Sequence, residues 1–253
     1  MTGRRGSRLT LAGLLATFLV ATNVRPVAAA DLLLPDLAML APFEFRITTS
    51  ASGKKLLRFT TVSVNLGKGP FQIYGYDADG AKIGDTLSVR QQVKRTDGTW
   101  MVRDTTSTMT WANDGHNHWH IDGYQRFVLN KLDGTHLRYV RKTGFCAFDT
   151  YKWRSTLPAY YTWDRYACRT AASGQVLMGT SRMWGDVYRW NIAFQWIDIT
   201  GLASGDYRLN VSADAPHTTG GKFLESNETN NLSWAKIHIG RSTVTVLSRK
   251  ANP

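Results

Sequence analysis

The sequence predicts an all-β protein, an antiparallel β-sandwich with long irregular loops. Several short segments combine β-branched and aromatic residues with alternating polarity, and prolines and glycines separate them. No segment shows a helical period in its apolar residues. The predicted strands are residues 55–65, 71–76, 87–94, 116–132, 194–200, 207–212, 235–240 and 243–248.

The first thirty residues have the pattern of a secretory signal peptide. Arg4, Arg5 and Arg8 precede an apolar run at residues 9–21, and a small-residue cleavage site ends before Asp31. The run is too short to be a membrane anchor. We therefore expect a signal peptide at residues 1–30, a single domain at residues 31–253 and a secreted, extracellular protein.

The charge balance is basic. The chain has 31 Lys and Arg against 19 Asp and Glu, a net charge of +12. Removing residues 1–30 deletes four arginines and no acids, so 31 − 4 = 27 bases and 19 acids leave +8. Such a field favours acidic partners. The bases are spread out and no nucleic-acid motif is present, so we expect no specific nucleic-acid partner.

Three histidines at alternate positions, His116, His118 and His120, suggest a metal site. A strand turns alternate side chains to one face, and imidazole suits copper, zinc and iron. Five residues of strand span roughly 13 Å, so the segment must bend for all three rings to reach one ion. Gly115 and Gly123 bracket the run and could supply the bend.

Other metal-site patterns with paired histidines fit less well. The residues after His120 are Ile121, Asp122 and Gly123, which match neither a metallo-β-lactamase nor a cupin. A zincin helix motif is absent from the sequence. A copper polysaccharide monooxygenase would need a histidine at the mature N-terminus, where we expect Asp31.

Four segments, in this order, resemble the catalytic domain of the lysyl oxidases, over roughly residues 31 to 250. They are residues 111–122 (WANDGHNHWHID), 141–150 (RKTGFCAFDT), 188–200 (YRWNIAFQWIDIT) and 224–231 (LESNETNN). The resemblance implies a secreted member of this family, and we expect a bacterial one. It also implies that His116, His118 and His120 bind Cu²⁺.

The resemblance further implies a cofactor made from the chain itself. In the family a lysine four residues before a cysteine joins a tyrosine seven residues before a glutamine, giving lysine tyrosylquinone. Lys142 precedes Cys146 by four residues, and Tyr188 precedes Gln195 by seven. We therefore expect Lys142 and Tyr188 to form the quinone and to be catalytic.

The implied reaction oxidises a primary amine to an aldehyde with O₂ and releases H₂O₂ and ammonia. Its substrates would be small amines or the lysyl side chains of proteins. A carboxylate must take the α proton of the substrate. The candidate bases are Asp122, Asp149, Asp186 and Asp198. The alternative function is a noncatalytic extracellular copper-binding sandwich.

The two cysteines of an exported chain are expected to form a disulfide, Cys146–Cys168. It would close a loop of 22 residues and stabilise the fold by roughly 3 kcal/mol. Residues 189–193 are expected at the entrance of the site. Segments 153–162 and 178–184 are expected as additional loops, either a lid or surface decoration.

Overall fold

A computed structural model describes residues 1–3, 30–80, 84–112, 117–140, 143–154, 156–162, 167–214 and 222–253. His116, Lys142 and most of the predicted signal peptide lie outside this part of the chain. The strands are β1 (Leu32–Leu33), β2 (Leu37–Met39), β3 (Phe43–Thr49), β4 (Lys55–Asn65), β5 (Phe71–Tyr76), β6 (Thr86–Arg95), β7 (Trp100–Trp111), β8 (Trp119–Asp122), β9 (Gln125–Lys131), β10 (His136–Val140), β11 (Thr143–Phe145), β12 (Tyr151–Lys152), β13 (Gln175–Thr180), β14 (Trp184–Tyr188), β15 (Trp196–Asp198), β16 (Gly205–Ala213), β17 (Leu232–Ile239) and β18 (Val244–Arg249).

The all-β, antiparallel prediction is confirmed, and the strands form three sheets. One has the order β11-β8-β7-β6-β5-β13, with β1 also paired to β6. A second has the order β10-β9-β16-β17-β18. In the third, β4 pairs with β14 and β15 as well as with β2 and β3, and β12 extends it beyond β14.

The apolar faces of the three sheets meet in one core. Phe59 of β4 packs edge-on against Phe127 of β9, with ring centroids 5.0 Å apart. Ile121 of β8 and Leu209 of β16 are fully buried in the same cluster. Alternation along each strand directs these side chains inward and leaves polar residues outside.

The prediction of one continuous strand at residues 116–132 is wrong. It is two strands, β8 and β9, which belong to different sheets. Gly123 lies between them with a φ of 71°, a left-handed conformation that glycine adopts without a Cβ clash. The chain therefore turns between β8 and β9, and the bend expected within residues 116–120 stays a prediction because His116 lies outside the described residues.

The segment at residues 178–184 is not an additional loop. Met178 lies within β13, and β14 begins at Trp184. Only a short turn therefore separates the two strands. Within the described part of the chain, no helix is long and apolar enough to cross a membrane.

Candidate functional site

His118 and His120 come together at the edge of the β11-β8-β7 sheet. His120 lies in β8 and is buried, and His118 precedes that strand and is half-buried. Their Nε2 atoms are 2.9 Å apart, and their ring centroids are 4.7 Å apart. The alternating pattern has therefore brought two of the three predicted ligands to one point. The third, His116, is outside the described residues.

The geometry of these two rings fits a shared metal ion. Two nitrogens that each lie about 2 Å from one ion, roughly at a right angle, are separated by close to the observed distance. Neutral imidazole nitrogens are also the donors that copper and zinc accept. The pair alone does not choose between these metals.

Trp119 fixes β8 from the opposite face. Its indole N–H donates to Thr170 Oγ1 at 3.0 Å, and its side chain is fully buried. The ring of Trp111 packs edge-on against it at 5.5 Å. Because side chains alternate along a strand, anchoring Trp119 in the core directs its two histidine neighbours away from the core.

Gly144 makes room for the His120 ring, which the sequence reasoning missed. A Cβ at Gly144 would overlap the His120 imidazole, and the φ of Gly144 is 104°. Both facts require glycine here. The only sequence signal was a glycine within the segment shared with the family.

Tyr188 lies at the end of β14, in the sheet built around β4, and its side chain lies in the same site as the two histidines. Its hydroxyl donates to the carbonyl oxygen of Cys146 at 3.1 Å. Its ring packs edge-on against Phe145, with centroids 4.8 Å apart. Burial, together with the negative charge of Asp186, raises the pKa of Tyr188 well above its ordinary value. The phenol proton is therefore held firmly on Oη.

Asp186 accompanies Tyr188 because the two residues share one face of β14. Its side chain is almost fully buried. Its Oδ1 accepts a hydrogen bond from Thr150 Oγ1 at 2.8 Å, and that hydroxyl in turn accepts the N–H of Val187 at 2.7 Å. Thr150, which the sequence reasoning did not single out, thus holds the carboxylate against the strand.

These side chains line one cavity of about 380 Å³. His118, His120, Asp186 and Tyr188 all line it, and Thr150 and Arg189 are its other polar or charged residues. Its other walls are largely apolar, and they include part of the segment expected at the entrance. The remaining lining residues are Gly144, Cys146, Phe148, Val187, Ile192, Ala193 and Phe194.

The other candidate bases do not line this cavity. Both carboxylate oxygens of Asp149 already accept hydrogen bonds, which come from Ser181 and from the N–H groups of Tyr160 and Tyr161. Asp122 accepts from Thr108 Oγ1 at 2.9 Å.

Asp198 also lies outside the cavity, on the protein surface. It forms an ion pair with Lys54 at 3.3 Å. Hydrogen bonds from Thr200, and the charge of Lys54, lower the pKa of Asp198. This half-buried carboxylate therefore stays ionised beside Lys54 and does not line the cavity that contains the two histidines.

The predicted disulfide is confirmed. Cys146 and Cys168 are bonded, with their Cα atoms 5.8 Å apart. The carbonyl of Cys146 holds Tyr188, and the carbonyl of Cys168 accepts the N–H of Trp119 at 2.8 Å. The bridge therefore ties the tyrosine side of the cavity to the histidine side.

Comparison with known proteins gives one consistent result. Residues 81–248, more than half of the chain, match the family model described as Lysyl oxidase. The chain is 30% identical over 132 residues to lysyl oxidase homolog 2 of Xenopus tropicalis, covering 51% of the chain and 15% of that protein. It is 28% identical over 181 residues to human lysyl oxidase homolog 4, covering 71% of the chain and 18% of that protein. The chain thus spans less than a fifth of the length of these relatives.

Proposed function

Because the chain belongs to the lysyl oxidase family, we propose that it is a secreted, copper-dependent amine oxidase. The reaction converts a primary amine, O₂ and water into an aldehyde, ammonia and H₂O₂. Residues 31–253 are the proposed catalytic domain, and residues 1–30 the proposed signal peptide. The observation that supports this most directly is the meeting of two histidines, Tyr188 and Asp186 in one cavity.

The proposed metal ligands are His116, His118 and His120. The 2.9 Å separation of the Nε2 atoms of His118 and His120 supports a common ion. Copper and a quinone derived from Lys142 and Tyr188 would together supply the redox chemistry of the reaction. The protein's own part is to hold the reacting groups in place and to control water and protons around them.

Tyr188 is positioned before any modification takes place. Its hydroxyl is fixed by the Cys146 carbonyl, and its ring is fixed by Phe145. The disulfide of Cys146 restrains that carbonyl. Such a restrained ring faces the same cavity as the histidines, which is the arrangement that selective oxidation of one tyrosine among ten requires.

Asp186 is the proposed general base. It is the candidate aspartate that lines the cavity, two residues from Tyr188 on the same strand face. A base must come within hydrogen-bond reach of the proton it removes, either directly or through one water. The hydrogen bond from Thr150 holds one carboxylate oxygen, which limits the positions the other can take.

The cavity walls favour an amine with an apolar stem. Phe148, Ile192 and Phe194 line the approach to Asp186 and Tyr188. Methylene groups gain free energy when they leave water for such walls. Lysyl side chains and unbranched alkylamines present that stem with a terminal amine, so both are proposed substrates.

The test is amine-dependent peroxide release by the copper-loaded protein and its Tyr188→Phe variant. The variant keeps the ring and its packing but removes the phenol oxygen, so peroxide release should be lost. Tyr207→Phe is the matched control, because Tyr207 is 7% exposed against 8% for Tyr188 and its hydroxyl also donates to a backbone carbonyl. Copper binding without peroxide release by the unaltered protein would instead support a noncatalytic copper-binding sandwich.

A further inference from the structure

A second cleft, of about 440 Å³, lies away from the two histidines. Lys68, Lys94 and Arg182 bring three positive charges to it, and Trp100 and Tyr160 bring two aromatic rings. None of the described residues that line it carries a carboxylate. The described lining of the cleft is therefore positively charged and partly aromatic.

The aromatic side chains of this cleft are unusually accessible. Tyr160 is 78% exposed and Trp100 is 37% exposed. Lys94 Nζ lies 6.0 Å from the centroid of the Trp100 ring, within the range of a cation–π contact. Two accessible rings beside three cations in one cleft offer a ligand both stacking faces and charge.

The wall that carries Tyr160 is held rigidly. The N–H groups of Tyr160 and Tyr161 donate to Asp149 Oδ2 at 3.1 and 3.0 Å. Ser181, the neighbour of Arg182, donates to the same carboxylate at 2.6 Å from its hydroxyl. One buried carboxylate therefore fixes both the aromatic and the cationic part of this wall.

The opposite wall is equally fixed. Lys94 lies in β6 between Leu33 of β1 and Trp100 of β7, its partners on either side. The N–H groups of Lys68 and Gly69 donate to the Leu34 carbonyl at 2.9 and 3.2 Å. A cleft with two fixed walls loses little conformational entropy when a ligand binds.

We propose that this cleft binds an acidic oligosaccharide, a short stretch of a uronic-acid chain. Carboxylates of the sugar would pair with cations of the cleft, and Arg182 can form a bidentate pair. The apolar faces of the sugar rings would lie on Trp100 and Tyr160. The mature chain's net charge of +8, obtained above as 27 − 19, would draw such a polyanion to the protein.

The observations favour a sugar over an acidic peptide. One common mode of peptide binding adds an extended segment to a free strand edge through backbone hydrogen bonds. At this cleft β6 is paired on both sides, and the backbone of Lys68 and Gly69 is already bonded to Leu34. The cleft thus offers side chains to a ligand and little backbone.

The cleft is also short for a nucleic acid. Grooves that bind single strands track about four or more nucleotides. A volume of about 440 Å³ is that of a small-ligand pocket, which suits one or two sugar rings. A single-stranded oligonucleotide is the competing ligand in the titration.

The cleft is connected to the proposed active cavity through a few residues. Asp149, which holds Tyr160, lies between Phe148 and Thr150, and both of these line the cavity. An acidic polymer held at the cleft would therefore place the oxidase on an anionic matrix with its cavity nearby. This role is independent of the amine chemistry.

The experiment is calorimetric titration of the mature protein with tetragalacturonate at physiological salt. The double variant Lys68→Gln/Arg182→Gln should bind about tenfold more weakly, because two charge-assisted contacts are lost. Tyr160→Ala should also weaken binding. The control Lys131→Gln/Arg249→Gln has the same net charge and alters exposed cations outside the cleft, so its affinity should stay within about twofold of the unaltered protein.

Three results would overturn the proposal. They are no binding of tetragalacturonate, equal weakening by the control pair, and tighter binding of tetrathymidylate than of tetragalacturonate. The last result would assign the cleft to nucleic acid. Amine-dependent peroxide release should be the same in all these variants, so loss of the proposed oxidase function would be seen separately.

Discussion

At the scale of residues, Asp186 and Tyr188 share one face of β14 and line one cavity. If Asp186 removes the α proton, Asp186→Asn should lower kcat by about 10²- to 10⁴-fold. The amide can still accept the hydrogen bond from Thr150, so the strand should keep its structure. The measurement is peroxide release from an alkylamine and from its α-deuterated form, with a larger isotope effect expected in the variant.

Asp198→Asn is the control for that prediction. Asp198 lies on the surface beside Lys54, outside the cavity. Its replacement should leave kcat unchanged. Equal rates for the Asp186 and Asp198 variants would exclude Asp186 as the base.

His118 gives a second prediction at this scale. Its Nε2 is placed to share an ion with His120. His118→Ala should remove the copper spectrum with nitrogen hyperfine structure that one equivalent of Cu²⁺ is expected to give. His238→Ala, which alters an exposed histidine paired with Asp206, should leave it intact. Undiminished copper binding by His118→Ala would contradict the metal assignment.

At the scale of elements, β8 and β11 pair at the proposed metal site, where Gly144 of β11 faces the ring of His120 of β8. Gly144→Ala should weaken copper binding because a Cβ would displace His120. It should also cost about 1 kcal/mol of stability from its left-handed backbone. Copper affinity and thermal unfolding measure the two effects separately.

Gly134→Ala is the matched control for the backbone effect. Gly134 has a φ of 93°, close to the 104° of Gly144, but a Cβ there would meet nothing within 4 Å. It should lose similar stability and keep its copper affinity. If both variants bind copper equally well, Gly144 does not shape the site.

The strands also show which parts of the fold could be predicted from the sequence. The predicted bounds of β4 and β5 agree with the structure, because their runs of β-branched and aromatic residues end at clear turn residues. The longest strand, β7, was missed, since threonines and charged residues dominate its half-exposed sequence. Its order comes from pairing with β6 and β8, which a local pattern does not contain.

At the scale of the whole molecule, the site depends on two sheets meeting. Alternate spacing singled out His118 and His120, and the family resemblance singled out Tyr188; the structure places all three around one cavity. The parts played by Gly144 and Thr150 arise only when β11 and the segment before β12 pack beside β8 and β14. Such long-range contacts could not be predicted from local spacing.

The central claim is that Lys142 and Tyr188 form the cofactor, and one measurement tests it most directly. Each side chain reaches roughly 6 Å from its Cα atom, so the two Cα atoms must approach within about 12 Å in the active form. The measurement is peptide mass spectrometry after expression with copper and air. We predict one quinone-absorbing species containing both peptides, and separate peptides in Lys142→Ala. Unmodified peptides from a protein that still oxidises amines would contradict the account.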